Sequence, residues 1–169
     1  MRVLGVGLAI AIGLASGSGM ALGADAYAPL RLYQGTWRVK SGHGADAGKV
    51  TVLVNECARI GQFFGCQQTV DGKAEALILF LPYGKPGHYY TQAVTAEGRA
   101  MGRGELEIAG SRWTYSSKSV DDGKQTWYRT TNEFSGEDRI HYEQAESSDG
   151  VKWVVKGSGD EERGSGGRK

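Results

Sequence analysis

Two cysteines, Cys57 and Cys66, are the residues whose type and spacing most directly suggest chemistry. A thiol pair can form a structural bond, bind a metal or cycle between redox states. The spacing is not C-x-x-C, and no histidine lies near them in sequence. A two-residue hairpin loop at Gly61-Gln62, with Gly first as a type II′ turn requires, sets Cys57 directly opposite Cys66. Counted outward from that turn, the pair is a non-hydrogen-bonded one, where Cα atoms approach to about 4.5 Å, a separation that a disulfide spans. The spacing therefore predicts a cross-strand structural disulfide, with a redox or metal-binding pair as the alternative.

Other chemistry is sparse. His43, His88 and His141 are scattered, with no H-x-x-x-H, H-E-x-x-H or Cys/His cluster. No G-x-S-x-G, Walker A or dinucleotide fingerprint occurs. Gly102-Arg103-Gly104 reads as a kink in a strand rather than a phosphate cradle. The expectation is no catalytic residue, no metal and no cofactor; a haem-binding barrel using His88 or His141 ranks last among the readings. Glu56 stands out among the carboxylates. If Val50, Val52 and Val54 point inward along a strand, so does Glu56, opposite Gln67. An inward carboxylate is costly unless hydrogen-bonded, so Glu56 is either half of a satisfied polar pair near a barrel mouth or a ligand-contacting acid. Tyr115, Tyr128, Asn132, Tyr142 and Gln144 pose the same choice. They line a cavity with convergent polar groups, or they form a filled core whose polar tips bond one another.

The elements that hold these residues are strands. Gly, Thr, Val, Tyr and Trp dominate beyond the first stretch, and turn signals recur about every 8 to 15 residues, the mark of an all-β sandwich or barrel. Gly110-Ser111 as a two-residue turn pairs Ile108 with Trp113 and Leu106 with Tyr115 on an apolar face, and Glu107 with Thr114 and Glu105 with Ser116 on a polar one. Asp71-Gly72 is a type I′ signal joining a strand near Gln62–Val70 to one from Ala74 to Leu81. The second strand is apolar on both faces, so its outer face invites a cover, for which a helical turn near Pro29–Gln34 is the candidate. Asp122-Gly123 sends Tyr128, Thr130, Asn132 and Phe134 inward and then requires an odd-numbered loop or a bulge around Ser135–Asp138. Asp149-Gly150 pairs Glu146 with Trp153, Gln144 with Val155 and Glu143 with Lys156, which puts Tyr142, Gln144, Trp153 and Val155 on the inner face. A further short strand opens at Arg99 or joins the one at Glu105. The fold expected is a single antiparallel up-and-down β-barrel of about eight to ten strands with a short N-terminal helical turn, and a two-sheet sandwich is the alternative.

The chain of 169 residues accommodates one domain. Arg2 is the only charge before Asp25, Val3–Ala15 is apolar or Gly, and small residues follow to Ala26, the layout of a cleaved signal peptide. Cleavage before Tyr27 matches Ala24-Asp25-Ala26, and cleavage after Gly23 or Ala24 is also allowed. The organisation expected is residues 1–26 signal peptide, 27–156 barrel and 157–169 flexible tail, the last because it is Gly, Ser and charge with no apolar residue. The expected location is periplasmic or secreted. No later stretch is apolar enough for a spanning helix. A formal net charge of +1 argues against nucleic acid as a partner.

The segment Leu32-Tyr33-Gln34-Gly35-Thr36-Trp37 resembles the opening of the lipocalin-like (calycin) barrels, in which a G-x-W after a short helix enters the first strand and the Trp closes one barrel end. The family's T-D-Y motif has no match here, and nothing in the sequence decides between Arg139 and Arg163 for its late Arg that packs on the Trp. Tyr128-Arg129, Phe134-Ser135-Gly136 and Ser147–Trp153 resemble secreted bacterial lipocalin-like domains of unknown function. The resemblance implies a barrel with a small-ligand cavity and carries over no catalytic residue. The function expected is a non-enzymatic exported barrel binding a small hydrophobic or amphipathic molecule. A structural or interaction protein of the envelope with a filled core is the alternative.

Overall fold

A computed structural model describes residues 26–164, so residues 1–25, which carry most of the expected signal peptide, lie outside the described residues. The described chain opens with a 3-10 turn, Pro29–Tyr33, with Pro at its start where a missing N–H is tolerated. Ten strands follow: β1 (Gly35–His43), β2 (Val50–Ile60), β3 (Phe63–Val70), β4 (Lys73–Pro82), β5 (His88–Thr95), β6 (Gly104–Ala109), β7 (Arg112–Asp121), β8 (Lys124–Ser135), β9 (Arg139–Ser147) and β10 (Val154–Arg163). Each pairs antiparallel with the next, and β10 returns to β1, closing an up-and-down barrel. Closure pairs every strand on both sides and leaves no edge free for aggregation. Among the described residues no helix is long and apolar enough to cross a membrane.

The short turns set the registers. Gly61 has φ +60 while Gln62 stays at negative φ, and Ile60 faces Phe63, so the loop is two residues with Gly first. Cys57 faces Cys66 in that ladder, and the two form a disulfide with Cα atoms 4.0 Å apart. At Asp122-Gly123 both residues have positive φ, as a type I′ turn requires, and Trp113 consequently faces Asn132 and Ser117 faces Tyr128. The Gly110-Ser111 hairpin has the expected four pairs. Ser135 faces Arg139 across three loop residues, which is the odd-numbered connection that strand required.

Four expectations are corrected. Asp149-Gly150 is not a two-residue hairpin: Val154 faces Glu146, a bulge follows Val155, and Gly157 rather than Val155 faces Gln144. The local cause is side-chain capture. Ser147 Oγ accepts from the Asp149 and Gly150 N–H groups, and Asp149 Oδ1 accepts from Val151 and Lys152, which holds the chain in a longer loop. Trp153 consequently sits in that loop under the Arg129 guanidinium, and Lys156 pairs with Glu146 rather than Glu143. Secondly, Gly157 does not begin a tail: β10 runs through it to Arg163 and supplies the closing strand, because ladder hydrogen bonds to β1 and β9 replace the missing apolar burial. Thirdly, the segment 96–103 between β5 and β6 makes one isolated bridge, Ala100 to Val94 of β5, and no strand opens at Arg99. Lastly, the 3-10 turn closes the barrel end instead of covering β4, whose outward Leu77 is 40% exposed.

The core sits at that closed end. Leu30 from the turn packs with Trp37, Phe64, Phe80, Tyr89, Leu106, Trp113, Phe134 and Ile140. Trp37 is fully buried, and its indole N–H donates to the Tyr33 carbonyl at 3.0 Å. Arg163, opposite Trp37 across the β1–β10 seam, lays its guanidinium 4.1 Å from the Trp37 ring centre and donates to the Leu32, Gln34 and Glu137 carbonyls. One Arg therefore ties the turn, the β8–β9 loop and the last strand together.

Candidate functional site

Strand alternation places one residue in two inside the barrel. Beyond the packed end the inward positions become polar: Asn55 and Gln68 on β2 and β3, Tyr115 on β7, Asn132 and Thr130 on β8, Tyr142 and Gln144 on β9, and Glu161 on β10. The opposite arc of the wall is apolar, from Val39, Leu53, Val70 and Ile78. Tyr33, the last residue of the 3-10 turn, packs its ring against Trp37 and Trp113 and brings its hydroxyl to Asn55. Asn55 in turn donates to the Tyr33 carbonyl and accepts from Gln68 at 3.1 Å.

Several of these inward side chains are only half-buried. Burial pushes the phenol pKa of both Tyr33 and Tyr115 upward, yet each keeps accessible surface. Side chains enclosed by protein that still touch solvent face an internal space. Nearer the mouth the exposure grows: inward Tyr128 is 39% exposed, and inward Gln144 is exposed as well. Glycines in β10 make room. A Cβ on Gly159 would run into the Lys40 carbonyl and lie 2.9 Å from the Tyr142 ring and hydroxyl, so Gly there lets β1 approach and Tyr142 lie across the seam to within 3.3 Å of Ser41 Oγ.

At the floor is Glu161. It is 5% exposed, flanked across the ladder by Val39 and Ile140, and its Oε2 is sealed without a hydrogen-bond partner among the described residues. Burial pushes its carboxyl pKa up to about 7. The Glu161 charge adds to desolvation in raising Tyr33 and Tyr115, so these three groups share one field.

The structure therefore brings Tyr115, Tyr128, Asn132, Tyr142 and Gln144 to one lumen on three adjacent strands. Glu56 does not join them. Leu53, Asn55 and Cys57 take the inward phase of β2, so Glu56 points outward and is exposed. The parity follows from the disulfide: Cys57 faces the interior, and its neighbour cannot. Glu56 instead lines a groove of about 820 Å³ beside the 3-10 turn, with Arg31, Val54, Asn55, Cys57, Gln67 and Leu77. Sequence reasoning missed Tyr33, Asn55 and Glu161; only the need of β1 for a second partner signals that Glu161 lies in a strand. His88 and His141 point outward and pair with Glu107 and Asp160.

No family model and no curated protein matches this chain. Among solved structures it is similar to the crystal structure of Rv2717c from M. tuberculosis, with a TM-score of 0.51 and 15% sequence identity, over 83% of this chain and 98% of that one. The likeness is one of fold.

Proposed function

We propose that this protein is an exported, lipocalin-like, non-enzymatic barrel that binds a small, partly apolar molecule in its lumen. The carrying observation is that Tyr33 and Tyr115 are desolvated by the surrounding protein while keeping accessible surface. An apolar arc beside a convergent polar arc suits one amphipathic ligand. Support for the lipocalin-like reading comes from Gly35-x-Trp37 after a 3-10 turn and from Arg163 stacked on Trp37. Support for export comes from the apolar Val3–Ala15 stretch and from the disulfide, which persists outside reducing compartments. Of the cleavage positions read from the sequence, those after Gly23 or Ala24 retain the Ala26 carbonyl that accepts the buried Tyr89 hydroxyl.

One preparation from the native host tests all of this. N-terminal sequencing of the exported protein is expected to begin at Ala24 or Asp25, and native mass spectrometry to show a bound small molecule. Tyr128→Phe is expected to weaken retention of that molecule while changing stability by under about 0.5 kcal/mol, because its hydroxyl is exposed and only 3.4 Å from Ser119. Ligand-free protein, with no thermal shift from host lipid and metabolite extract, would favour a structural barrel.

A further inference from the structure

Resting on that lumen-binding reading, we propose that the ligand is a small amphipathic amine whose protonated nitrogen pairs with Glu161. A carboxyl 5% exposed with an unpartnered, sealed oxygen is an anomaly, since buried polar groups are nearly always hydrogen-bonded. Its missing complement is a hydrogen-bond donor, and among the described residues no cation reaches it. Beside it in the ladder stand Val39 and Ile140. On those strands Arg38, Lys40, Arg139, His141 and Glu143 fall on the outward phase. Tyr33 from the turn and Tyr115 from β7 are the titratable groups felt across the lumen, and neither is cationic. Arg163, one inward position deeper, donates to backbone carbonyls, pairs with Asp138 at 3.2 Å and lies on the Trp37 face. Nearer the mouth the inward Glu146 is 3.7 Å from Lys156. The floor is thus acidic and walled by Tyr33, Tyr115 and Tyr142, whose ring faces favour a cation. Val39, Leu53, Val70 and Ile78 offer the alkyl part an apolar arc.

Titration calorimetry with octylamine, octanol and octanoate, on the full exported chain, tests the head group at constant tail. At about pH 8 octylamine is expected to bind roughly 10- to 100-fold more tightly than octanol, the range for a charge-assisted hydrogen bond. Glu161→Gln is expected to abolish that preference and leave octanol unchanged. In the wild type the preference is expected to shrink as the pH falls below 7 and the carboxyl takes up its proton. Octylamine no tighter than octanol, or octanoate tightest of the three, would overturn the amine assignment while leaving lumen binding in place. Failure of all three tails, together with ligand-free protein from the native host, would sink the lumen reading itself and the inference with it.

Discussion

Glu161 makes the folded state pay for its site. Its carboxyl moves from the usual 4.5 to about 7 in the fold, so between those values the folded protein holds a proton that the unfolded chain has released. By linkage, stability from this group is complete below about pH 4.5 and is lost as the pH rises through 7. The shift corresponds to roughly 3 kcal/mol. Glu161→Gln is therefore expected to be more stable than the wild type at pH 8 and equal to it near pH 4.5, in the absence of ligand. Urea midpoints across that range check it, and parallel curves for the two proteins would refute it. The sequence conceals this residue because Gly157–Arg163 contains no apolar side chain, and pattern reading treats such a run as solvated. Tyr115 and Asn132 are legible because each is tied to a two-residue turn that sets its facing.

Short turns explain most of what the elements disclose in advance. Gly61-Gln62, Gly110-Ser111 and Asp122-Gly123 each leave the backbone one compact way to reverse, so the opposing residues follow by counting. Asp149-Gly150 looks equivalent but is preceded by Ser147, whose hydroxyl competes for the turn N–H groups, and the register moves. β2 misleads for another reason: it carries apolar residues on both phases, and the three valines are outside. The β1–β10 seam offers a test. A methyl group at position 159 would run into the Lys40 carbonyl of β1 and crowd the Tyr142 ring, so Gly159→Ala is expected to cost at least about 1 to 3 kcal/mol, as overpacking does, and to free Tyr142 from Ser41. A denaturation midpoint equal to the wild type's would mean that the seam relaxes without strain.

Closure is a property of the whole molecule, and it depends on the last strand. A chain ending after Lys156 keeps β1 to β9 but loses Glu161, Arg163 and the partner of both flanking strands. It is expected to elute from a sizing column as aggregates, whereas a chain ending after Gly164 is expected to run as a folded species. A cooperatively unfolding product of the shorter chain would show β10 to be dispensable. The same seam sets a timetable. Neighbouring strands zip as hairpins with little loop entropy to overcome, but Trp37 meets Arg163 only across nearly the full domain. During synthesis, β1 waits with one side unpaired until the ribosome has released residue 163. A nascent chain wired in this way keeps β1 half-paired, and its barrel unclosed, for as long as its end is tethered.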